Sequence, residues 1–242
     1  MPLLPTCDRK TRAYASQKNT FGLLPGIPKR GGTCPGATLA KNGCANIPKG
    51  KKCMLCYVDP LMRAYPKIKD TLAHNTRILK KASFEKKVKL LLKEFDRFYS
   101  AELKRKNPWL NYRIHWSGDI YSENYAKALI TAISQRPNLH FWIYTRSFWA
   151  LPILAKAYNL TVYLSLDPVN YKEGIAKFNA WKKTKTYTKY KNVQIAYMSK
   201  EKPTFLKLVD CPVDSNKLAL EGGCANCNLC VGKNPQPVWF RT

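Results

Sequence analysis

Eight of the nine cysteines fall into two groups of four, one near each end of the 242-residue chain. Four thiolates gathered at one point are the ligand set of a tetrahedral zinc ion or of a [4Fe–4S] cluster. The sequence therefore predicts two metal sites. The predicted ligands are Cys34, Cys44, Cys53 and Cys56 in the first group, and Cys211, Cys224, Cys227 and Cys230 in the second.

The spacing of the cysteines differs between the two groups. The second group contains the run Cys224-x-x-Cys227-x-x-Cys230, which is typical of ferredoxin-type clusters with a fourth ligand from elsewhere, here Cys211. A [4Fe–4S] cluster is favoured there, with zinc as the alternative. In the first group three cysteines would leave one iron open for substrate, whereas four would close the site and make it structural.

The net charge of the chain is extreme. Lys and Arg number 42 against 15 Asp and Glu, which gives a formal charge of +27. Such a field attracts polyanions and releases counterions from phosphates. Nucleic acid, either DNA or RNA, is the predicted partner, and a solvated lysine-rich surface without a partner is the alternative.

The sequence predicts a cytoplasmic protein. It begins without the charged segment and long apolar core of a signal peptide. No apolar run reaches the roughly 20 residues that span a bilayer, so no membrane partner is expected. Cytoplasmic thiols stay reduced, and clustered cysteines there indicate metal binding more than disulfides.

Hydrophobic patterning predicts the elements that must position these groups. Helical periodicity covers residues 61–72, and a second helix carries a basic face and begins after Ser83. Strands and helices then alternate, which predicts an α/β fold with either an open parallel sheet or a partial (βα) barrel, and with metal-binding segments at both ends. The predicted strands are Tyr112–Trp116, Leu139–Tyr144, Leu160–Leu166 and Val193–Met198. The predicted helices between them are Ser122–Ser134, Phe148–Tyr158 and Tyr171–Lys183.

Composition divides the chain into three parts. Residues 1–56 form a Cys-, Gly- and Pro-rich metal-binding segment, residues 57–209 an α/β core, and residues 210–242 a cysteine-rich tail. No Gly-x-Gly-x-x-Gly or Walker-type loop occurs, which argues against a Rossmann or P-loop nucleotide site.

Polar residues follow every predicted strand, where active sites of parallel α/β folds form. Two other interpretations remain open, since Asp119 suits a helix cap and His115 suits a packed core histidine. The candidate catalytic residues are His115, Ser117, Asp119 and Arg146. The candidate cofactor-binding residues are Ser117, Gly118, Asp119, Ser165 and Asp167.

Two stretches carry a resemblance to a known family. They are Tyr112-Arg-Ile-His-Trp-Ser-Gly-Asp-Ile-Tyr-Ser and Asn138-Leu-His-Phe-Trp-Ile-Tyr-Thr-Arg-Ser-Phe. Together with the upstream Cys-Pro-Gly and Cys-x-x-Cys-Tyr elements, they resemble the phage "gene product 88" domain family, roughly from Cys34 to Asp167 and weakly as far as the C-terminal cysteines. The resemblance implies a phage or mobile-element origin and a role in the host cytoplasm.

A looser resemblance is to radical SAM enzymes, which carry a three-cysteine cluster on a partial barrel. It implies Cys44, Cys53 and Cys56 as cluster ligands and the C-terminal cysteines as holders of an auxiliary cluster. Residues 117–119 would then hold the amino group of S-adenosylmethionine, with Ser165 or Asp167 at its ribose.

Three functions are compatible with these features. The first is a radical-SAM-like enzyme that modifies nucleic acid. The second is a metal-stabilised nucleic-acid-binding protein without catalysis, with stacking surfaces at Trp116, Tyr121, Trp142 and Trp149. The third is a phage effector, stabilised by zinc, that binds a host protein. A metal-cluster protein that engages nucleic acid is the favoured prediction.

Overall fold

The computed structural model describes residues 1–6, 18–35, 56–185, 189, 191–219, 223–231 and 235–241. Cys7, Cys44 and Cys53 lie outside these ranges. The strands are β1 (Thr20–Phe21), β2 (Asn111–Ile114), β3 (His140–Thr145), β4 (Leu160–Leu166), β5 (Val193–Ser199), β6 (Val209–Asp210) and β7 (Val238–Arg241). The helices are α1 (Val58–Ala64), α2 (Pro66–Lys81), α3 (Phe84–Leu103), α4 (Glu123–Ser134), α5 (Leu151–Leu154), α6 (Tyr171–Lys182) and α7 (Gly223–Cys227).

The strands form one parallel sheet, which confirms the predicted class. Its seven strands lie in the order β1-β2-β3-β4-β5-β7-β6, and every neighbouring pair is parallel. Strands that follow one another in the same direction, joined by right-handed crossovers, place their connecting helices on one face. Within the described residues the sheet is open, because β1 and β6 lie at its two edges.

The boundaries differ from prediction where local geometry intervenes. The predicted first helix divides at Pro66, because a residue before proline avoids helical geometry and Tyr65 has φ −132° and ψ 87°. Strand β2 ends at Ile114, since His115 turns the chain with a φ of 55°. The predicted helix 148–158 shortens to a 3₁₀ turn (Phe148–Ala150) followed by α5.

The main core lies between the sheet and its helices. Side chains alternate along a strand, so Tyr112 and Ile114 of β2 face one side together. Both are fully buried there, and Phe95 and Phe98 of α3 pack edge-on against Tyr112. Ser83 caps α3 as predicted, by accepting a hydrogen bond from the Lys86 amide.

The C-terminal part of the chain packs on the other face of the sheet. Tyr163 of β4 faces this side, whereas its neighbours Val162 and Leu164 face the helices. The Tyr163 hydroxyl donates to the carbonyls of Leu229 and Gln236. Described residues from Val209 onward thus cover part of this second face and also supply strands β6 and β7.

None of the helices in the described ranges combines the length and the apolar character that crossing a membrane requires.

Candidate functional site

Three of the predicted site residues lie together where the parallel strands end. Asp119, in the loop after β2, accepts a hydrogen bond from Thr145 Oγ1 at 2.6 Å and from the Arg146 amide at 2.8 Å. The Arg146 guanidinium in turn forms an ion pair with Asp167 after β4. The ends of β2, β3 and β4 are therefore joined through charged side chains at the carboxyl edge of the sheet.

Asp119 is a buried carboxyl whose oxygens are used within the protein. Its Oδ1 also accepts from the Ile120 amide at 2.7 Å. Burial raises the pKa of this carboxyl, and the hydrogen bonds from Thr145 and from the Arg146 and Ile120 amides oppose that rise. Asp119 thus fixes the two loops relative to each other, and its predicted catalytic and cofactor-binding roles stay predictions.

Gly118 brings the N-terminal segment close to the loop after β2. Its φ is 79°, and a Cβ there would lie 2.4 Å from Thr33 Oγ1 and 2.9 Å from the Leu23 carbonyl oxygen. The neighbouring Ser117 hydroxyl donates to the same Leu23 carbonyl at 3.0 Å. Any side chain at 118 would push this segment away.

His115 is buried in a strained backbone conformation. A φ of 55° is uncommon for a residue other than glycine. Its Nε2 lies 2.6 Å from the Tyr125 hydroxyl, while Nδ1 has no hydrogen-bond partner among the described residues. Burial lowers the pKa of His115 to about 3, so the ring is neutral at physiological pH.

Asp167 shapes the entry into α6. Its Oδ1 accepts from the amides of Val169 and Asn170, and the Asn170 side chain reaches back to the Ser165 carbonyl at 3.2 Å. These bonds close a tight turn after β4. The predicted cofactor roles of Ser165 and Asp167 stay predictions.

Both described cysteines of the N-terminal group lie beside this edge. Cys34 follows Thr33, whose hydroxyl accepts a hydrogen bond from the Asp119 amide at 3.2 Å. Cys56 is buried in a small cluster that includes Trp116 of the loop after β2. The segment bounded by these two cysteines therefore starts and ends at the loop that carries residues 116–119.

The C-terminal cysteines lie on the second face of the sheet. Cys211 is buried beside Tyr163, and Cys230 packs on the same cluster. Burial raises the pKa of the Cys230 thiol to about 11, although hydrogen bonds with Tyr144 and Tyr163 act in the opposite direction; Cys211 and Cys227 are near enough to raise it further. Across the described residues, no three His, Cys, Asp or Glu side chains are gathered closely enough to hold a metal ion. Metal ligation by either group stays a prediction.

Sequence reasoning missed several residues that build this edge. Thr145 is the last residue of β3, one position beyond the predicted strand, and Asn170 falls in a predicted loop. Both are polar residues at or shortly after the end of a strand, which is the sequence feature that could have identified them. Thr33 gave no such signal, because its contact with Asp119 joins residues 86 positions apart.

Comparison with known proteins identifies the family. A family profile described as "Gene product 88" matches residues 5–233. The chain belongs to the gene product 88 family. It is 32% identical over 223 residues to the Gene 88 protein of Mycobacterium phage L5, with 88% of this chain and 82% of the relative covered. It is 31% identical over 235 residues to the Gene 88 protein of Mycobacterium phage D29, with 93% and 87% covered.

The gene product 88 match confirms the first resemblance and extends it beyond Cys34–Asp167 in both directions. The relatives are phage proteins, which supports the predicted bacteriophage origin. The looser resemblance to radical SAM enzymes gains no support from these matches. No solved structure matches the chain.

Proposed function

We propose that this gene product 88 protein binds nucleic acid in the cytoplasm of the phage host, and that its cysteine groups hold metal that stabilises the binding fold. The observation that carries the proposal is the distribution of charge on the surface of the helices. The net charge is +27, and exposed basic side chains outnumber exposed acidic ones on α2 and α3, which is the electrostatic pattern of a phosphate-binding protein.

Helix α3 illustrates this distribution of charge. Of its four acidic residues, Glu94 and Glu102 are buried, Asp96 forms an ion pair with Arg136 after α4, and Glu85 is exposed. Its outward lysines are exposed. They are Lys86, Lys89 and Lys93. Helix α2 adds a further exposed set, Lys67, Lys69, Arg77, Lys80 and Lys81.

The affinity for nucleic acid should therefore depend steeply on salt. With about five phosphate contacts on a single strand, raising salt from 50 to 200 mM should weaken binding about 100-fold. The measurement is fluorescence anisotropy of a labelled oligonucleotide titrated with the full chain. Replacing Lys86, Lys89 and Lys93 together by glutamine should reduce the salt slope, whereas replacing them by arginine should preserve it. An affinity that is unchanged over this salt range would refute the proposal.

The C-terminal cysteines supply a donor set that fits a metal centre chemically. Cys211 and Cys227 lie near enough to Cys230 to raise the pKa of its thiol, and the hydroxyls of Tyr144 and Tyr163 are within hydrogen-bonding reach of the Cys230 sulfur. Hydroxyl donors toward cysteine sulfur are a usual second layer around thiolate-bound metals. A bound [4Fe–4S] cluster or zinc ion would crosslink this segment to the second face of the sheet.

Protein purified without oxygen should contain bound metal that depends on the C-terminal cysteines. An iron–sulfur cluster gives equal iron and sulfide with broad visible absorption, whereas zinc gives a colourless protein. Metal analysis should show a loss in Cys227→Ser and in Cys224→Ser, and no change in Cys7→Ser. Cys34→Ser and Cys56→Ser separately report on the N-terminal group. Metal-free wild-type protein, or a metal content untouched by the C-terminal substitutions, would contradict the assignment.

Catalysis is the second candidate, and the position of the N-terminal cysteines favours it. A cluster held between Cys34 and Cys56 would lie at the carboxyl edge, beside the residues predicted to be catalytic. Cleavage of S-adenosylmethionine is the less favoured form, because Asp119 and Ser117 are hydrogen-bonded within the protein. The zinc-stabilised effector that binds a host protein has no specific contact in its favour.

A further inference from the structure

Exposed aromatic rings surround the carboxyl edge of the sheet. Tyr57 is 59% exposed, Phe205 54% and Trp149 43%. Exposed apolar side chains that lie along one edge mark a candidate interaction site, whereas singly scattered ones do not. Of the stacking residues predicted from sequence, only Trp149 is exposed to this degree, and Trp142 is buried and unable to stack on a ligand.

Local contacts hold two of these rings in place. The Tyr57 hydroxyl donates to the Trp116 carbonyl, which anchors the ring at the loop after β2. Phe205, beyond β5, packs against Tyr171 and Tyr197 with ring centroids 5.0 and 6.0 Å away. A ring that is fixed on one side and open to solvent on the other loses little entropy when a flat partner stacks on it.

A cation lies between the two rings along the edge. Arg146 is held through its amide by Asp119 and through one terminal nitrogen by Asp167. The Arg146 side chain is 13% exposed to solvent. The Tyr171 amide donates to the Asp167 carbonyl at 3.1 Å, and the Tyr171 ring packs on Phe205. Asp167 therefore connects the guanidinium of Arg146 to the segment that supports Phe205.

We propose that single-stranded nucleic acid lies along this edge, with bases stacked on Tyr57 and Phe205 and a phosphate at Arg146. This inference rests on the nucleic-acid binding proposed above. Base stacking on aromatic rings together with cationic groups along the backbone is how proteins hold single strands. A duplex hides its base faces and offers these rings nothing to stack on. The charge of +27 supplies the complementary field.

The test compares single strands with a duplex of the same length. Labelled oligo(dT) and oligo(U) of about 12 nucleotides and a blunt DNA duplex are titrated with the full chain. Tyr57→Ala and Phe205→Ala should each weaken single-strand binding about tenfold and leave duplex binding unchanged. Tyr158→Ala is the matched control. That ring is 54% exposed, but it precedes β4 and therefore lies at the amino ends of the strands, away from the carboxyl edge.

Arg146→Gln tests the phosphate contact separately. It keeps the backbone bond to Asp119 and should lower the salt slope of single-strand binding by about one phosphate contact. Phe205→Tyr keeps the ring and should bind as the wild type does, whereas Tyr57→Phe keeps the ring but loses its bond to the Trp116 carbonyl and should bind with an affinity between those of the wild type and Tyr57→Ala. Circular dichroism of each variant establishes that it is folded.

The outcomes distinguish the proposed stacking surface from the broader proposal that the protein binds nucleic acid. If wild-type binding is steep in salt but Tyr57→Ala and Phe205→Ala bind single strands normally, the stacking surface is refuted and phosphate binding stands. Equal weakening of duplex and single-strand binding also refutes it. If the wild type binds no oligonucleotide at low salt, both proposals fail. A preference for oligo(U) or for oligo(dT) identifies the ligand as RNA or DNA, and it supports the surface when Tyr57→Ala and Phe205→Ala weaken binding of the preferred strand.

Discussion

Replacing Glu94 by alanine should lower the free energy of unfolding by about 3 kcal/mol, because it leaves buried polar partners unpaired. Glu94 lies on the buried side of α3. Its carboxylate accepts hydrogen bonds from Arg97 Nε at 2.9 Å and Nη2 at 2.7 Å, and from the hydroxyl of the fully buried Tyr112 at 2.9 Å. Burial raises the pKa of Glu94 and the bonds from Arg97 lower it, so the network offsets much of the desolvation cost.

Urea denaturation measures this effect as a lower midpoint concentration of urea, provided that the m-value of the transition does not change. Glu94→Gln is the control, since an amide keeps the shape and one acceptor and should cost about 1 kcal/mol. A double variant that also removes the Arg97 guanidinium should recover little of the loss, because Arg97 is 34% exposed and the buried Tyr112 hydroxyl stays unpaired. Equal stabilities of Glu94→Ala and Glu94→Gln would show that the network does not stabilise the fold.

This network also fixes which face of α3 is available to a partner. Glu94 lies on the buried side with Phe95 and Phe98, whereas Lys89 and Lys93 lie on the exposed side. The exposed lysines Lys86, Lys89 and Lys93 outnumber the exposed acids Glu85 and Asp96, which gives α3 a positive surface. Glu94→Ala should therefore affect stability much more than nucleic-acid affinity, which separates the two uses of the helix.

Much of the sheet was predictable because buried parallel strands are continuous apolar runs between polar ends. Strand β4 begins and ends at the predicted residues, and α6 ends one residue earlier than predicted. Strands β6 and β7 were missed because they are short and lie among cysteines, glycines and prolines. Their pairing with each other and with β5 joins residues far apart in sequence, and hydrophobic periodicity carries no signal of that kind.

The candidate site was predictable in location but less so in the use of its residues. Polar strand ends predicted that Asp119, Arg146 and Asp167 would meet, and they do. Whether a polar side chain faces its own loops or a ligand depends on contacts such as that of Thr33 with the loop at 119. Those contacts arise from the path of the N-terminal segment, which no local pattern specifies.

His115 should make the stability of the protein strongly dependent on pH. Burial lowers its pKa from 6.5 to about 3, so the folded state favours the neutral ring. Its stabilising contribution is therefore present above pH 6.5 and is lost as pH falls toward 3. The total loss is about 5 kcal/mol, at about 1.4 kcal/mol for each pH unit.

The comparison variant is His115→Asn, since asparagine tolerates a positive φ and does not titrate. Between pH 7 and pH 4, the wild type should lose about 3 kcal/mol more unfolding free energy than this variant, as measured by urea denaturation. His140, whose pKa burial lowers to about 4, titrates in both proteins and cancels. Identical pH profiles would mean that the imidazole is protonated at little cost in the folded state.

The depressed pKa also bears on what His115 can do at the carboxyl edge. A general base works best when its pKa lies near the working pH, and a ring with a pKa of about 3 is far from that range. Its bond to Tyr125 and its left-handed backbone instead turn the chain after β2, which carries Trp116, Gly118 and Asp119 to their partners. A pH profile that matches this shift would therefore assign His115 the role of a positioning residue.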